Sequence, residues 1–199
     1  MPYDRNTALV VVDVQNDFAD PEGGLYVPGG EDVVDPVNAE IAEARAARGL
    51  VVYTQDWHPE STPHFAKDGG TWPVHCVAGT WGARLHADLA RAPEASKVRK
   101  GEGGEDGYSG FTIRDTKTGE ETSTGLEALL REREIERVVV VGLATDYCVK
   151  ETALDAAAKG FATKVLRDAV RAVDLEPGDG ERALAELRSA GVEVVSRHR

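Results

Sequence analysis

The sequence predicts an α/β fold of three layers, in which about six mostly parallel strands form a doubly wound sheet with helices on both faces. Short runs rich in β-branched residues alternate with longer stretches rich in Ala, Leu, Glu and Arg. The short runs are nearly continuous in apolar residues, which is typical of parallel strands buried on both faces. No segment repeats and none has the composition of a linker, so we expect one domain over residues 1–199.

Six strand-length runs define the predicted sheet, at 9–12, 50–53, 97–99, 138–141, 164–166 and 192–195. Helices are predicted between them over 31–48, 125–133, 149–159 and 179–190. Gly49, Gly160 and Gly191 follow three of these helices as predicted C-terminal stops. The segments 59–80 and 101–125 are predicted to be long irregular loops, and loops of that length usually serve a function.

The composition excludes several classes of partner. The 35 acidic side chains outnumber the 23 basic ones, and the formal net charge of -12 argues against general binding to nucleic acid. No apolar run approaches the roughly 18 residues of a membrane helix, and the short apolar run at 8–12 is too brief for a secretory signal. We therefore expect a cytoplasmic protein, off the membrane, that acts on a small molecule.

Chemically active side chains follow four of the predicted strands. Asp13 follows the first strand, Asp56 and His58 follow the second, Lys100 follows the third, and the loop after the fourth ends at Cys148. In an open α/β sheet, ligands bind outside the carboxyl ends of the strands. The sequence therefore predicts one site at this edge of the sheet.

A cysteine nucleophile is predicted from three of these residues. Cys148 lies between a buried strand and a helix, where the helix dipole would favour a thiolate. Taken singly, Cys148 could be a buried structural cysteine, Asp13 a turn residue and Lys100 a solvated surface lysine. Together they supply a thiol, a base for its proton and a cation for the thiolate, and this combination favours a nucleophile. Cys76 is interpreted as a small buried residue, since two cysteines make no disulfide framework.

A metal site is the second hypothesis. Asp56, His58, His64 and His75 lie close together along the chain, and carboxylate with imidazole suits zinc, manganese or iron. The spacing is not a sharp zinc signature, so unligated loop histidines are the alternative. The glycine-rich segment 101–107 carries three carboxylates that would repel phosphate, so it is predicted to be a mobile loop over the site.

Four aromatic residues flank the polar candidates and predict either a pocket for a flat ring or ordinary core packing: Phe18, Trp72, Tyr108 and Tyr147.

The order of these residues resembles the nicotinamidase group of the isochorismatase-like cysteine hydrolases. The resemblance extends from Ala8 to about Val195. Its motifs are Val-Asp-Val-Gln-Asn-Asp-Phe at 12–18, Thr-Gln-Asp-Trp-His at 54–58, Trp-Pro-Val-His-Cys at 72–76, Lys-Gly at 100–101, Tyr-Ser-Gly-Phe at 108–111 and Gly-Leu-Ala-Thr-Asp-Tyr-Cys-Val-Lys-Glu-Thr-Ala-Leu-Asp-Ala at 142–156. Isochorismatases share the fold but lack the nucleophilic cysteine, so Cys148 favours an amidase.

The resemblance implies hydrolysis of nicotinamide to nicotinate and ammonia, which feeds NAD salvage. Asp13 would be the base, Cys148 the nucleophile that forms a thioester, and Lys100 the cation that orients them. The backbone N–H groups of Ala144 and Cys148 would form the oxyanion hole, with a cis peptide before Ala144.

The resemblance also implies one divalent ion, zinc before iron or manganese, held by Asp56, His58 and His75. The ion would bind the pyridine nitrogen directly or through water. His64 is a candidate additional ligand, because some members of the family use an extra histidine near this position and others do not.

Two alternatives stay open at this stage. One is a cysteine amidohydrolase acting on a carbamoyl or ureido compound, a group that generally keeps Asp-Lys-Cys without the metal trio. The other is a non-catalytic small-molecule binding protein, which would be expected to have lost Cys148 or Lys100. The sequence leaves open which metal binds, whether related pyridine carboxamides are accepted, and whether the chain forms a homo-oligomer.

Overall fold

A parallel six-stranded sheet forms the centre of the protein, as seen in a computed structural model that describes residues 3–196. Its strands are β1 (Thr7–Val12), β2 (Leu50–Asp56), β3 (Ser96–Lys100), β6 (Arg137–Leu143), β7 (Ala162–Arg171) and β8 (Glu193–Val195). They lie in the order β3-β2-β1-β6-β7-β8, and every neighbouring pair is parallel. The predicted fold class is confirmed.

Helices cover both faces of this sheet. The short helix α1 (Asn16–Ala19) and α2 (Val34–Ala46) pack on one face, where Leu9 and Val11 of β1 point. Helices α3 (Leu126–Glu132), α4 (Lys150–Ala158) and α5 (Asp179–Ser189) pack on the other, against Ala8 and Val10. Strand β1 is buried along its whole length, which explains why it reads as one apolar run.

Three local predictions differ from the structure. The segment 101–125, predicted to be irregular, contains an antiparallel hairpin formed by β4 (Thr112–Arg114) and β5 (Glu121–Ser123). These strands are short and mostly exposed, so they lack the apolar pattern that marks the central strands. The helix α1 was not predicted either. Arg48, with φ of +60°, takes the left-handed position after α2 that was assigned to Gly49, whereas Gly160 and Gly191 do adopt positive φ.

The strand order reverses between β1 and β6, the two central strands. Ligands bind at this switch point in doubly wound folds because the loops on either side of it diverge and leave a crevice. Gly142 permits the close approach of β6 to β1: its φ is +110°, and a Cβ there would lie 2.1 Å from the Val12 carbonyl oxygen. The loops after β1 and β6 therefore begin side by side.

Within residues 3–196, no helix combines the length and the apolar composition needed to cross a bilayer.

Candidate active site

The Lys100 ammonium joins the side chains delivered by four neighbouring strands. Its Nζ lies 2.8 Å from Asp13 Oδ2, 2.7 Å from Asp56 Oδ1 and 3.4 Å from Cys148 Sγ. It also donates to the Tyr108 carbonyl oxygen over 3.3 Å. Lys100 is 1% exposed and Asp13 is fully buried, so these charged side chains are shielded from bulk water. The interpretation of Lys100 as a solvated surface lysine is wrong.

Burial and charge act in opposite directions on this cluster. Burial alone would lower the pKa of Lys100, but Asp13 and Asp56 outweigh it and hold that pKa well above its usual value. Burial raises the pKa of the Asp13 carboxyl, although Lys100 opposes the rise. Burial also opposes ionisation of Asp56, yet Lys100 and the imidazoles of His58 and His75 hold the pKa of its carboxyl well below the usual range. Asp13 is therefore the better proton acceptor of the two carboxylates.

Asp13 is held in its position by Thr54, which the sequence interpretation passed over. The Thr54 hydroxyl donates to Asp13 Oδ1 over 2.6 Å and accepts the Asp13 N–H over 3.2 Å. Asp13 has φ of +48°, a left-handed conformation that favours small polar residues over bulky ones. A threonine inside the buried end of β2 was the available signal, because a hydroxyl there needs a partner.

Cys148 lies in a turn of π-helix, residues Thr145–Val149, which runs directly into α4. Such turns are rare and occur often at functional sites. Burial raises the pKa of the Cys148 thiol well above its usual value, Lys100 opposes the rise, and Asp13 adds to it. The expectation that the helix dipole would favour a thiolate is therefore not met in this structure. The resting group is a thiol beside a carboxylate that can take its proton.

The peptide bond between Leu143 and Ala144 is cis, as the family resemblance implies. It connects the end of β6 to the Cys148 turn.

Three histidines meet next to this cluster. His58, His64 and His75 are buried, and each offers a ring nitrogen within 4.8 Å of the others. Asp56 Oδ2 lies 3.8 Å from Nε2 of both His58 and His75. Two ligands of a tetrahedral zinc ion, each about 2.1 Å from the metal, are roughly 3.4 Å apart. The spacing of Asp56 and these two histidines is thus close to that of a metal site.

The hydrogen bonding and charge of these side chains also fit a bound cation. Among the described residues, neither ring nitrogen of the buried His58 has a hydrogen-bond partner. His75 Nδ1 lies 2.7 Å from the Pro73 carbonyl oxygen, which leaves its Nε2 free to face Asp56. Two carboxylates, Asp13 and Asp56, share the single ammonium of Lys100. A divalent cation would use the free nitrogens and balance the excess negative charge.

A pocket of about 410 Å³, counting its open mouth, lies between the cysteine and the histidines. Trp72, Tyr108 and Tyr147 form one wall, in which the Trp72 indole N–H donates to the Tyr108 hydroxyl over 3.0 Å. The Trp72 and Tyr147 rings meet edge to face at 5.0 Å. Phe18 also lines the pocket, so all four aromatic candidates surround it. Four apolar residues in the lining were not singled out from the sequence: Leu25, Val27, Leu143 and Val173.

Two polar side chains, Gln15 and Asp17, hold the loops next to the histidine cluster. Gln15 donates to the Asp56 carbonyl and accepts the Asp56 N–H, and so ties the loop after β1 to the end of β2. Asp17 accepts the Cys76 N–H over 2.6 Å, next to His75. Cys76 is fully buried, as predicted. Gln15 and Asp17 both lie in the motif at 12–18, although neither was singled out from the sequence.

Comparison with known proteins assigns the family. Residues 7–199 match the family model described as the isochorismatase domain. The chain belongs to the isochorismatase family. It is 38% identical to the nicotinamidase of Escherichia coli strain K12, over 92% of each chain.

Two solved structures of this family are similar to the protein. PnC1 from L. infantum, in complex with nicotinate, has a TM-score of 0.89 at 38% identity and covers 98% of this chain and 96% of its own. The pyrazinamidase of Pyrococcus horikoshii, in complex with zinc, has a TM-score of 0.85 at 38% identity, and the match covers 96% of this chain and 99% of the pyrazinamidase. The first structure holds a small organic molecule and the second holds a metal ion.

Replacing Lys100 by Met should destabilise the protein, because Asp13 and Asp56 would be buried without a cation. We expect the free energy of unfolding at pH 7 to fall by about 3–5 kcal/mol. The deficit should narrow as pH falls from 7 towards the ordinary aspartate pKa near 4, since the carboxylates of the variant, buried without a cation, have raised pKa values and bind protons over that range.

The measurement is urea unfolding at pH 7 and pH 4, with a chelator present so that no metal substitutes for the ammonium. Lys97→Met is the matched control, because Lys97 is exposed on the same strand. A deficit of equal size at both pH values would show that lost packing, rather than unpaired charge, explains the effect.

Proposed function

We propose that the protein is an amidohydrolase that converts nicotinamide to nicotinate and ammonia through a thioester on Cys148. The observation that carries this proposal is the position of Lys100 Nζ, in contact with both Asp13 and Cys148 beside a mostly apolar pocket. The identity to nicotinamidases over almost the whole chain supports the same activity. Nicotinate produced in this way would enter NAD salvage.

The first half of the reaction transfers an acyl group to sulfur. Asp13 takes the proton of the Cys148 thiol, and Sγ attacks the carboxamide carbon. Lys100 remains protonated and balances the charge that moves from carboxylate to sulfur. The backbone N–H groups of Ala144 and Cys148 are the proposed donors to the oxyanion. Asp13 then returns its proton to the amide nitrogen, the C–N bond breaks, and ammonia leaves a thioester behind.

The second half uses the same groups in reverse. Asp13 takes a proton from water, the hydroxide adds to the thioester carbon, and the C–S bond breaks. Nicotinate leaves, and the sulfur regains its proton from Asp13. The raised pKa of the Asp13 carboxyl suits both directions, because a base closer in pKa to the thiol accepts and returns the proton more readily.

The histidine cluster gives the pocket a polar end. Asp56, His58 and His75 are the proposed ligands of a divalent ion, with His64 as an additional ligand. When bound, the ion would supply a Lewis-acidic position for the pyridine nitrogen. The aromatic wall would contact the flat ring, and the carboxamide would face Cys148, which also lines the pocket. This division favours a pyridine carboxamide over an open-chain carbamoyl compound, which offers no ring nitrogen.

Release of ammonia from nicotinamide by the purified, zinc-loaded protein is the direct test of the proposed function. Carbamoyl and ureido compounds assayed in parallel distinguish the alternative substrate class. Turnover of those compounds without turnover of nicotinamide would overturn the proposal.

Removal of the metal should abolish or strongly reduce turnover without unfolding the sheet, because the ligands lie on loops and strand ends. His58→Ala should lower ammonia release by at least about tenfold. His86→Ala is the matched control, since His86 is a buried histidine that lies outside the cluster. Full activity after rigorous chelation would contradict the metal role and favour the carbamoyl or ureido alternative.

Replacing Cys148 by Ala should abolish turnover but preserve binding, because the pocket walls and the histidines remain. Asp13→Asn should lower kcat by about 10²–10⁴-fold, since an amide cannot accept the proton. The losses should not multiply when Asp13, Lys100 and Cys148 are replaced together, because the three act as a unit. Ammonia release and nicotinamide binding are measured on each variant, and wild-type turnover by Cys148→Ala would exclude covalent catalysis by this residue.

A further inference from the structure

Asp106 lies in the glycine-rich segment 101–107, outside the motifs of the family resemblance, yet its carboxylate contacts the histidine cluster. Asp106 Oδ1 lies 3.0 Å from His64 Nδ1, and the Asp106 side chain is 22% exposed against 7% for His64. The same oxygen accepts the Gly107 N–H over 2.9 Å, and Oδ2 lies 3.5 Å from the Arg114 guanidinium. The carboxylate is thus restrained from several sides while it faces the imidazole.

The β4–β5 hairpin fixes the backbone of Asp106. Asp106 and Arg114 exchange backbone hydrogen bonds of 2.8 and 2.5 Å, which extend the edge of β4 by one antiparallel bridge. A second contact joins the two loops directly, because the Thr62 hydroxyl donates to the Gly104 carbonyl over 3.1 Å. The hairpin that was missing from the sequence prediction therefore holds Asp106 against the loop that carries His64.

The contact selects the tautomer of His64. A carboxylate only accepts hydrogen bonds, so the Nδ1 that faces it carries a proton, which leaves Nε2 as the nitrogen with which His64 could bind a metal. His75 is oriented in the same way by the Pro73 carbonyl at its Nδ1. The three histidines have ring nitrogens within 4.8 Å of one another. His64 would then join His58 and His75 at a metal ion through Nε2.

We propose that Asp106 is a positioning residue that makes His64 a metal ligand by holding its Nδ1–H. This inference rests on the metal site of the proposed function but not on the identity of the substrate. Carboxylates that hold ligating histidines fix the ring and raise the basicity of the other nitrogen, and their loss typically costs 10- to 100-fold in metal affinity. The β4–β5 hairpin would then contribute to metal affinity without touching the metal.

Zinc affinity of the purified full chain tests this inference, measured by competition with a chromophoric chelator. We expect Asp106→Ala to weaken zinc binding by about 10- to 100-fold. Asp115→Asn is the matched control, since Asp115 is an aspartate of the same hairpin whose contacts lie within its own turn, with Lys117 and Thr118. Its zinc affinity should equal that of the wild type.

A double-mutant cycle with His64→Ala separates positioning from general damage. If Asp106 acts through His64, the variant lacking both side chains should bind zinc no more weakly than His64→Ala alone. Asp106→Asn keeps the shape of the side chain, and its zinc affinity should lie between those of the wild type and Asp106→Ala. It replaces Asp106→Ala in the cycle if the alanine variant does not fold. Unchanged zinc affinity in Asp106→Asn and Asp106→Ala, or an equal loss in the His64→Ala background, would overturn the inference.

Ammonia release from nicotinamide is recorded separately on the same samples. If the wild type releases no ammonia from nicotinamide while the zinc affinities of the double-mutant cycle are as expected, the proposed function is rejected and the role of Asp106 stands. Normal turnover by the wild type with no effect of Asp106 on zinc would reject only the role of Asp106.

Discussion

The buried ammonium of Lys100 is the interaction on which the rest of the site depends. A single cation contacts Asp13, Asp56 and Cys148, which come from three different segments of the chain. Without it, two carboxylates would be buried close together with no compensating charge, an arrangement that costs several kcal/mol. Lys100 therefore couples the Cys148 thiol on one side to Asp56 and the histidine cluster on the other.

The strand order makes this coupling feasible. Asp13, Asp56 and Lys100 follow or end β1, β2 and β3, which are neighbours in the sheet, and Cys148 follows β6 on the far side of the switch point. Because all these strands are parallel, their carboxyl ends meet at one edge. The pocket opens where the loops after β1 and β6 diverge, so the thiol and the histidines face the same space from opposite sides.

The apolar strands and the polar residues at their ends could be predicted from the sequence, because burial and strand ends leave a clear pattern in composition. The hairpin at 112–123, the role of Thr54 and the contact between Asp106 and His64 could not. Each of these depends on a tertiary contact between residues far apart in the chain or on strands too short and exposed to carry a pattern. The environment of Cys148 also differs from the expectation, since its position before a helix suggested a thiolate whereas burial raises the pKa of the thiol.

In the proposed reaction, Cys148 carries the acyl group during turnover, with its proton passed to Asp13. Mass spectrometry of zinc-loaded protein, quenched in acid during steady-state turnover of nicotinamide and then digested, tests this most directly. We expect a nicotinoyl adduct on the peptide that contains Cys148, and no adduct on the peptide that contains Cys76. Continued ammonia release with no adduct on Cys148, under quench conditions in which a thioester survives, would contradict the account.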